Sequence, residues 1–237
     1  MINLENTQVF ETPWKHIIIN DIFDSETASI LSNNENLKIY MHNWEEPFLR
    51  KELNASQMVS MTDMPPECGK SLLDLNESEE LINLLHNTFM DNLLSAYPTK
   101  DEAYFRNGTV RSQYGAYNFG DEECSADALG THIDNGKKIY SGLIYFKESD
   151  DTVEGSDFIL ESYDASGNLV EEKVIEYGNN FALIWACTPD CWHRVTPRGA
   201  SPNNLRRIIN FVYEREESLH DYHSKDGYGW KLVRVAT

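Results

Sequence analysis

His132-Ile133-Asp134-Asn135, followed six residues on by Ser141-Gly142-Leu143-Ile144-Tyr145-Phe146, is the stretch from which the fold can be read. The second run is apolar, aromatic and β-branched, the composition of a buried strand. In extended chain, residues i and i+2 project from one face. An imidazole at His132 and a carboxylate at Asp134 would then point together toward a single cation. By itself the pair says little. With seven His in the chain and 39 acids among 237 residues, about one His-x-acid match arises by chance. An exposed His beside a solvated acid is the simpler reading unless other features join it.

Moving outward, short strand-like runs recur to the C-terminus: residues 103–105, 109–117, 139–146, 157–162, 169–177, 181–186, 193–196, 206–213 and 228–235. Turn residues separate them, including Gly155, Ser166-Gly167-Asn168 between two strands of a hairpin, and Gly178-Asn179-Asn180. Many evenly spaced short strands predict a sandwich, barrel or jelly roll. The first hundred residues differ. His16-Ile17-Ile18-Ile19 reads as a short buried strand, and Asp24 or Ser25 can cap a helix running to about Leu31. Residues 78–97 carry helical periodicity, with Ser78 as N-cap and Pro98 past the end. Residues 33–70 give no clear pattern. Helices followed by strands make an α+β order with a mainly β core. There is no repeat and no linker.

Composition narrows the partners. Against 39 Asp+Glu stand 20 Lys+Arg, a formal charge of −19. A duplex-binding protein neutralises phosphates with cations, so a nucleic-acid partner is not expected. No apolar run approaches the roughly 18 residues that span a bilayer, and Met1 to Asn20 lacks the basic and apolar regions of a secretion signal. Cys68, Cys124, Cys187 and Cys191 make no disulfide framework at this length. The expectation is a soluble, cytoplasmic protein with no membrane partner.

Two further features join the opening pair. His193 opens a strand run, and Arg206 lies thirteen residues on, in Arg206-Arg207-Ile208-Ile209-Asn210-Phe211. Two His and one carboxylate form a facial triad that leaves three octahedral positions of Fe(II) open for a bidentate cofactor and O₂. An arginine on an apolar strand is costly unless an anion meets it, and a carboxylate does so with two hydrogen bonds.

The order His132-x-Asp134, distant His193, then Arg206 on the next strand resembles the Fe(II)- and 2-oxoglutarate-dependent oxygenases, prolyl-hydroxylase-like branch. Residues 14–23 are similar to that family's opening strand and helix start. Gly155-Ser156-Asp157-Phe158-Ile159-Leu160 resembles its Gly-Gly-acid strand start, with Ser156 in place of the second Gly. The match covers about residues 110–213, and more weakly 14–31. It implies a double-stranded β-helix (jelly roll, cupin-like) buttressed by N-terminal helices. The whole chain, 1–237, would be one oxygenase domain, with 1–100 a helical support region and 101–237 the jelly-roll core.

By the same resemblance, His132, Asp134 and His193 would hold the metal, Fe(II). Arg206 would pair with the distal carboxylate of the cosubstrate 2-oxoglutarate. Tyr145 sits where some relatives place a tyrosine bonded to that carboxylate, against the simpler reading of a core tyrosine. Tyr114 precedes the metal strand in the manner of another cofactor-contacting tyrosine. The implied reaction couples oxidative decarboxylation of 2-oxoglutarate to hydroxylation of a small-molecule or peptide substrate, with no side chain needed as general base. Where many relatives have Arg-x-Ser, this chain has Arg206-Arg207-Ile208. A shift of one residue in strand phase would put Arg207 rather than Arg206 at the cofactor. Alternation with Ile208, Asn210 and Val212 favours Arg206 and turns Arg207 outward. The alternatives are a jelly-roll metal- or ligand-binding module without turnover, and a cupin-type iron isomerase or dioxygenase that uses no cosubstrate.

Other features have simpler readings beside them. Cys187 to His193 fits no common zinc spacing, and Cys191 is either near the iron or a small buried residue. His220 and His223 read as a solvated tail segment. The acid runs 121–123, 148–151 and 171–172 read as solvated loops. Of nine Arg, Arg194, Arg198, Arg206 and Arg207 follow His193 within fourteen residues. They either balance nearby acids or make one locally positive mouth for anions.

Overall fold

Residues 206–214 alternate strictly between two packing environments, and that alternation organises the molecule. The computed structural model describes residues 2–37, 50–117, 130–197 and 206–220. The strands are β1 (Thr7–Phe10), β2 (His16–Asn20), β3 (Arg50–Asn54), β4 (Thr109–Tyr117), β5 (Lys138–Phe146), β6 (Phe158–Tyr163), β7 (Leu169–Ile175), β8 (Asn179–Ala186), β9 (Trp192–Val195) and β10 (Arg206–Glu214). The helices are α1 (Ser25–Asn33), α2 (Ala55–Ser60), α3 (Pro66–Asn76), α4 (Glu79–Ala96) and α5 (Glu102–Arg106).

Seven strands form one antiparallel sheet in the order β1-β2-β8-β5-β10-β4-β3. Three form a second, β7-β6-β9. This is the mainly β, jelly-roll architecture expected, with strands that neighbour in space but not in sequence. Residues before 100 supply three strands of the large sheet as well as most of the helices.

The centre of the large sheet is buried on both faces, so β5 and β10 are almost continuously buried, and Arg206 and Arg207 are buried with the apolar residues of β10. Ile209, Phe211 and Tyr213 of β10, with Tyr140, Ile144 and Phe146 of β5, pack against Leu72, Leu85, Phe89 and Leu93 of the helices. Ile208, Leu143, Tyr145 and Trp185 face the other way, toward Phe158 and Leu160 of the small sheet. The chain thus has a helix-side core and an inner, between-sheet core, separated by one strand thickness.

The helix starts follow capping chemistry. The Asp24 carboxylate accepts from Thr27 N, and the Ser78 hydroxyl from Leu81 N. The expected strand at 103–105 is instead helix α5. Asp101 caps it by accepting from Tyr104 N at 2.8 Å, and a capped start overrides the strand preference of Tyr104 and Phe105. At the Gly155-Ser156 turn both residues have positive φ, 93° and 71°. Ser156 therefore occupies a conformation that favours glycine. The run at 228–235 lies outside the described residues.

Candidate metal centre

His132 and His193 are joined by an isolated antiparallel bridge, each backbone N–H donating to the other's carbonyl at 2.9 Å. Their rings lie edge to face with centroids 4.3 Å apart. The expected strand around His132 is reduced to this bridge. Even so, the ligand atoms of His132, Asp134 and His193 all lie within 4.8 Å of one another. Phe158 stacks on the His193 ring and Trp185 meets its edge, at 4.9 and 5.3 Å, so the second imidazole is held in the inner core.

Hydrogen bonds set the tautomer of both rings. His132 Nδ1 lies 2.6 Å from Gly130 O, and His193 Nδ1 lies 2.9 Å from Cys191 O. A carbonyl only accepts, so each Nδ1 carries the proton and each Nε2 keeps its lone pair. That is the arrangement a metal-binding imidazole requires. Burial disfavours the charged form of both imidazoles, and His193 is lowered to about 3.

Asp134 sits under opposing influences. Burial would raise its pKa, but the Lys138 ammonium beside it opposes burial and holds the carboxyl well below its usual range. Lys138 Nζ is 2.6 Å from Asp134 Oδ1. Cys187 Sγ approaches Oδ2 at 3.7 Å. From behind, His220 Nε2 donates to the Asp134 backbone carbonyl at 2.9 Å, while its Nδ1 meets the Tyr97 hydroxyl at 2.6 Å. Two neutral imidazoles and one ionised carboxylate, with tautomers fixed by the backbone, suit a divalent first-row metal such as Fe(II).

Arg206 and Tyr145 lie on the inner face of the large sheet, both essentially inaccessible to solvent. One terminal guanidinium nitrogen is 3.5 Å from the Tyr145 hydroxyl, and the guanidinium lies over the tyrosine ring at 5.4 Å. Burial pushes the Tyr145 phenol up to about 12, so it stays a neutral donor, with Arg206 opposing the shift. The phase of β10 is the one the alternation favoured.

Other expectations need correction. Tyr114 pairs in register with Ile209, not with a residue on Arg206's face. Its ring packs in the helix-side core and its hydroxyl donates to Leu31 O at 2.8 Å, so the structure does not bring it to Arg206. Arg207 does turn away from the inner face, but it is buried, paired with the Glu148 carboxylate and the Ser32 carbonyl. Glu148 and Asp151 are accordingly buried members of a run that read as a solvated loop. Arg194 pairs with Glu161 and Glu172. Arg194 and Arg207 therefore balance acids rather than forming a positive mouth, and Arg198 lies outside the described residues. Cys187, not Cys191, is the thiol beside Asp134. Cys191 is a small buried residue bonded to Ala186 O. His220 is docked on the metal loop instead of lying in a solvated tail, while His223 and residues 121–123 are outside the described residues.

Sequence reasoning missed Lys138, whose spacing of four from Asp134 was the available signal, and His220, whose partner is 86 positions away. No helix among the described residues is long and apolar enough to cross a membrane.

No protein-family model matches the chain, and no curated protein is similar to it in sequence. Solved structures are similar to it in fold. A prolyl-4-hydroxylase from Pseudomonas putida is 11% identical over 84% of this chain and 92% of that chain, with a TM-score of 0.51. A prolyl 4-hydroxylase from Phytophthora capsici is 16% identical over 85% of this chain and 59% of that one, with a TM-score of 0.50. A protein from Shewanella oneidensis is 12% identical over 84% and 81%, with a TM-score of 0.53. Shared topology gives the chain the fold of these prolyl 4-hydroxylases, and it carries a His132/Asp134/His193 cluster.

Proposed function

We propose that the chain is an oxygenase that couples decarboxylation of 2-oxoglutarate to hydroxylation of a small-molecule or peptide substrate in the cytoplasm. One observation carries the reading. The His132/Asp134/His193 donor set and the buried Arg206–Tyr145 pair border one apolar core cluster, which meets His193 through Phe158 and Trp185 and Arg206 through Tyr145.

In this reading His132 Nε2, His193 Nε2 and Asp134 hold Fe(II), which supplies the dioxygen chemistry once 2-oxoglutarate is bound. Lys138, bonded to Asp134 Oδ1, would keep that carboxyl ionised and so able to act as a ligand. Arg206 meets the distal carboxylate of 2-oxoglutarate, and the Tyr145 hydroxyl donates to the same group. Phe158, Trp185 and Leu160 pack beside His193 in the inner core, where their apolar surface would exclude water. No residue has to move a proton to or from the substrate carbon.

The test is anaerobic. Purified protein with Fe(II) and 2-oxoglutarate should develop the weak visible charge-transfer absorption of the chelate, absent in His132→Ala and Asp134→Ala. Arg206→Met should raise the 2-oxoglutarate Kd at least a hundredfold, about 2.7 kcal/mol, with metal binding retained. A wild-type protein that binds neither iron nor 2-oxoglutarate would refute the proposal. Binding of both without succinate formation under any substrate would move the reading to a ligand-binding module.

A further inference from the structure

A cluster of polar side chains lies on the face of the small sheet opposite the inner core, beside the chain neighbours of both histidines. Alternation along β9 puts His193 inward with its partner Leu160, and puts Trp192 and Arg194 on the opposite face with Glu161. Glu161 is a carboxylate on the outer side of a three-stranded sheet, yet only 3% exposed. A buried carboxylate persists only when donors surround it, and the donors here are specific. Glu161 Oε1 accepts from Arg194 Nε at 2.7 Å. Its Oε2 accepts from the Thr131 hydroxyl and the Tyr163 hydroxyl, each at 2.8 Å. The second arm of Arg194 reaches Glu172 on β7 at 2.8 Å. The Trp14 indole N–H lies 3.1 Å from Glu161 O and 3.2 Å from Trp192 O, fixing the β6–β9 backbone pair at the same point.

Thr131 precedes His132, and Arg194 follows His193. The single carboxylate of Glu161 therefore ties together the chain neighbours of both imidazoles. Only an isolated bridge joins the backbones of the two histidines. A ladder one bridge long has little resistance to a shift of register, and a shift of one residue would turn one imidazole away from the metal. We propose that Glu161 is a positioning residue for the metal centre, acting through Thr131 and Arg194 to hold His132 and His193 in register. The proposal rests on the metal-centre reading above. Glu161 touches neither metal nor cosubstrate, and its contribution is to the distance between two ligand atoms.

The probe is Mn(II), titrated into the full chain and followed by the electron paramagnetic resonance of the free ion. Glu161→Gln should weaken Mn(II) binding about tenfold or more, the size seen when groups supporting metal ligands are removed. Thr131→Val alters little beyond one hydroxyl, guards against an unfolded Glu161 variant, and should weaken Mn(II) binding about threefold. Thr131→Ser keeps the hydroxyl and should restore wild-type affinity. A merely structural carboxylate would lower the Tm of the metal-free and Mn(II)-loaded protein equally and leave the Kd unmoved. Mn(II) affinities of Glu161→Gln and Thr131→Val within twofold of wild type would therefore overturn the proposal. If the wild type binds no Mn(II), and His132→Ala is indistinguishable from it, the metal-centre reading fails and this inference fails with it.

Discussion

Two arginine–tyrosine pairs stand back to back across the large sheet. On the inner face Arg206 meets Tyr145. On the helix side Arg207 lies beside Tyr114, and both are anchored to the end of α1, through Ser32 O and Leu31 O. All four side chains are essentially inaccessible to solvent. The helix-side guanidinium also holds a buried carboxylate, Glu148, supplied by the chain itself. One residue of strand phase separates a structural ion pair from a group facing the proposed cofactor compartment. Burial and residue type are the same in both pairs, so neither property assigns a role. The face does.

The sharpest way to break this comparison is to remove the helix-side charge. Arg207→Met leaves Glu148 buried beside an apolar chain, and stranding one partner of a buried pair costs about 3–5 kcal/mol. Urea denaturation should show a loss of that size, with 2-oxoglutarate affinity of the remaining folded protein unchanged. The double variant Arg207→Met/Glu148→Gln should recover most of it, because no uncompensated charge is left. A fall in 2-oxoglutarate affinity to match that of Arg206→Met, with stability intact, would reverse the roles of the two faces.

Buried imidazoles offer a second, smaller contrast. His132 and His193 face the proposed metal, whereas His86 of α4 sits in the helix layer, its Nδ1 2.9 Å from the Tyr140 hydroxyl. Burial, then the nearby Arg106 guanidinium, lowers its pKa to about 4. The unfolded chain, with an ordinary histidine near 6.5, takes up the proton first as pH falls. The stability His86 contributes is thus fully present above pH 6.5 and is lost as pH drops toward 4. His86→Gln should lose less stability than wild type between pH 7 and 4.5, by about 2 kcal/mol. Paired urea titrations at the two pH values measure this. Mn(II) affinity at pH 7 should not move, since the residue lies outside the inner face.

The later strands and the donor set were legible in the sequence for different reasons. Alternation gave the phase of 206–212, and the runs that became β4 to β10 showed as strand-like stretches between turn residues, but the His132/Asp134/His193 set rested on the family resemblance, because the His-x-Asp pair alone arises about once by chance. What failed to show was whatever depends on distant partners. β1 and β3 are outer strands of the large sheet with no apolar run of their own, and neither was anticipated. Tyr114 was placed by its order before the metal strand, but register with Ile209 decides its face. Glu148 looked like loop acidity because its counterion is 59 positions away. Glu161 gave no signal either, since a single acid within a strand says nothing of the hydroxyls and guanidinium that surround it.

The finest distinction is between the two tyrosines, where each change removes one oxygen atom. Tyr114→Phe deletes a donor to Leu31 O and leaves that buried carbonyl short of a partner, which costs about 1 kcal/mol of stability. The 2-oxoglutarate Kd of the Fe(II)-loaded protein should stay within twofold of wild type. Tyr145→Phe removes a hydroxyl from the inner compartment, and its effect should fall on binding, with 2-oxoglutarate weakened about three- to tenfold, or about 1 kcal/mol. Calorimetric titration of both variants under anaerobic conditions separates the two. If Tyr114→Phe weakened 2-oxoglutarate binding as much as Tyr145→Phe does, the sheet would not be dividing structure from site. The roles of Arg206 and Arg207 would then have to be argued from something other than the face each occupies.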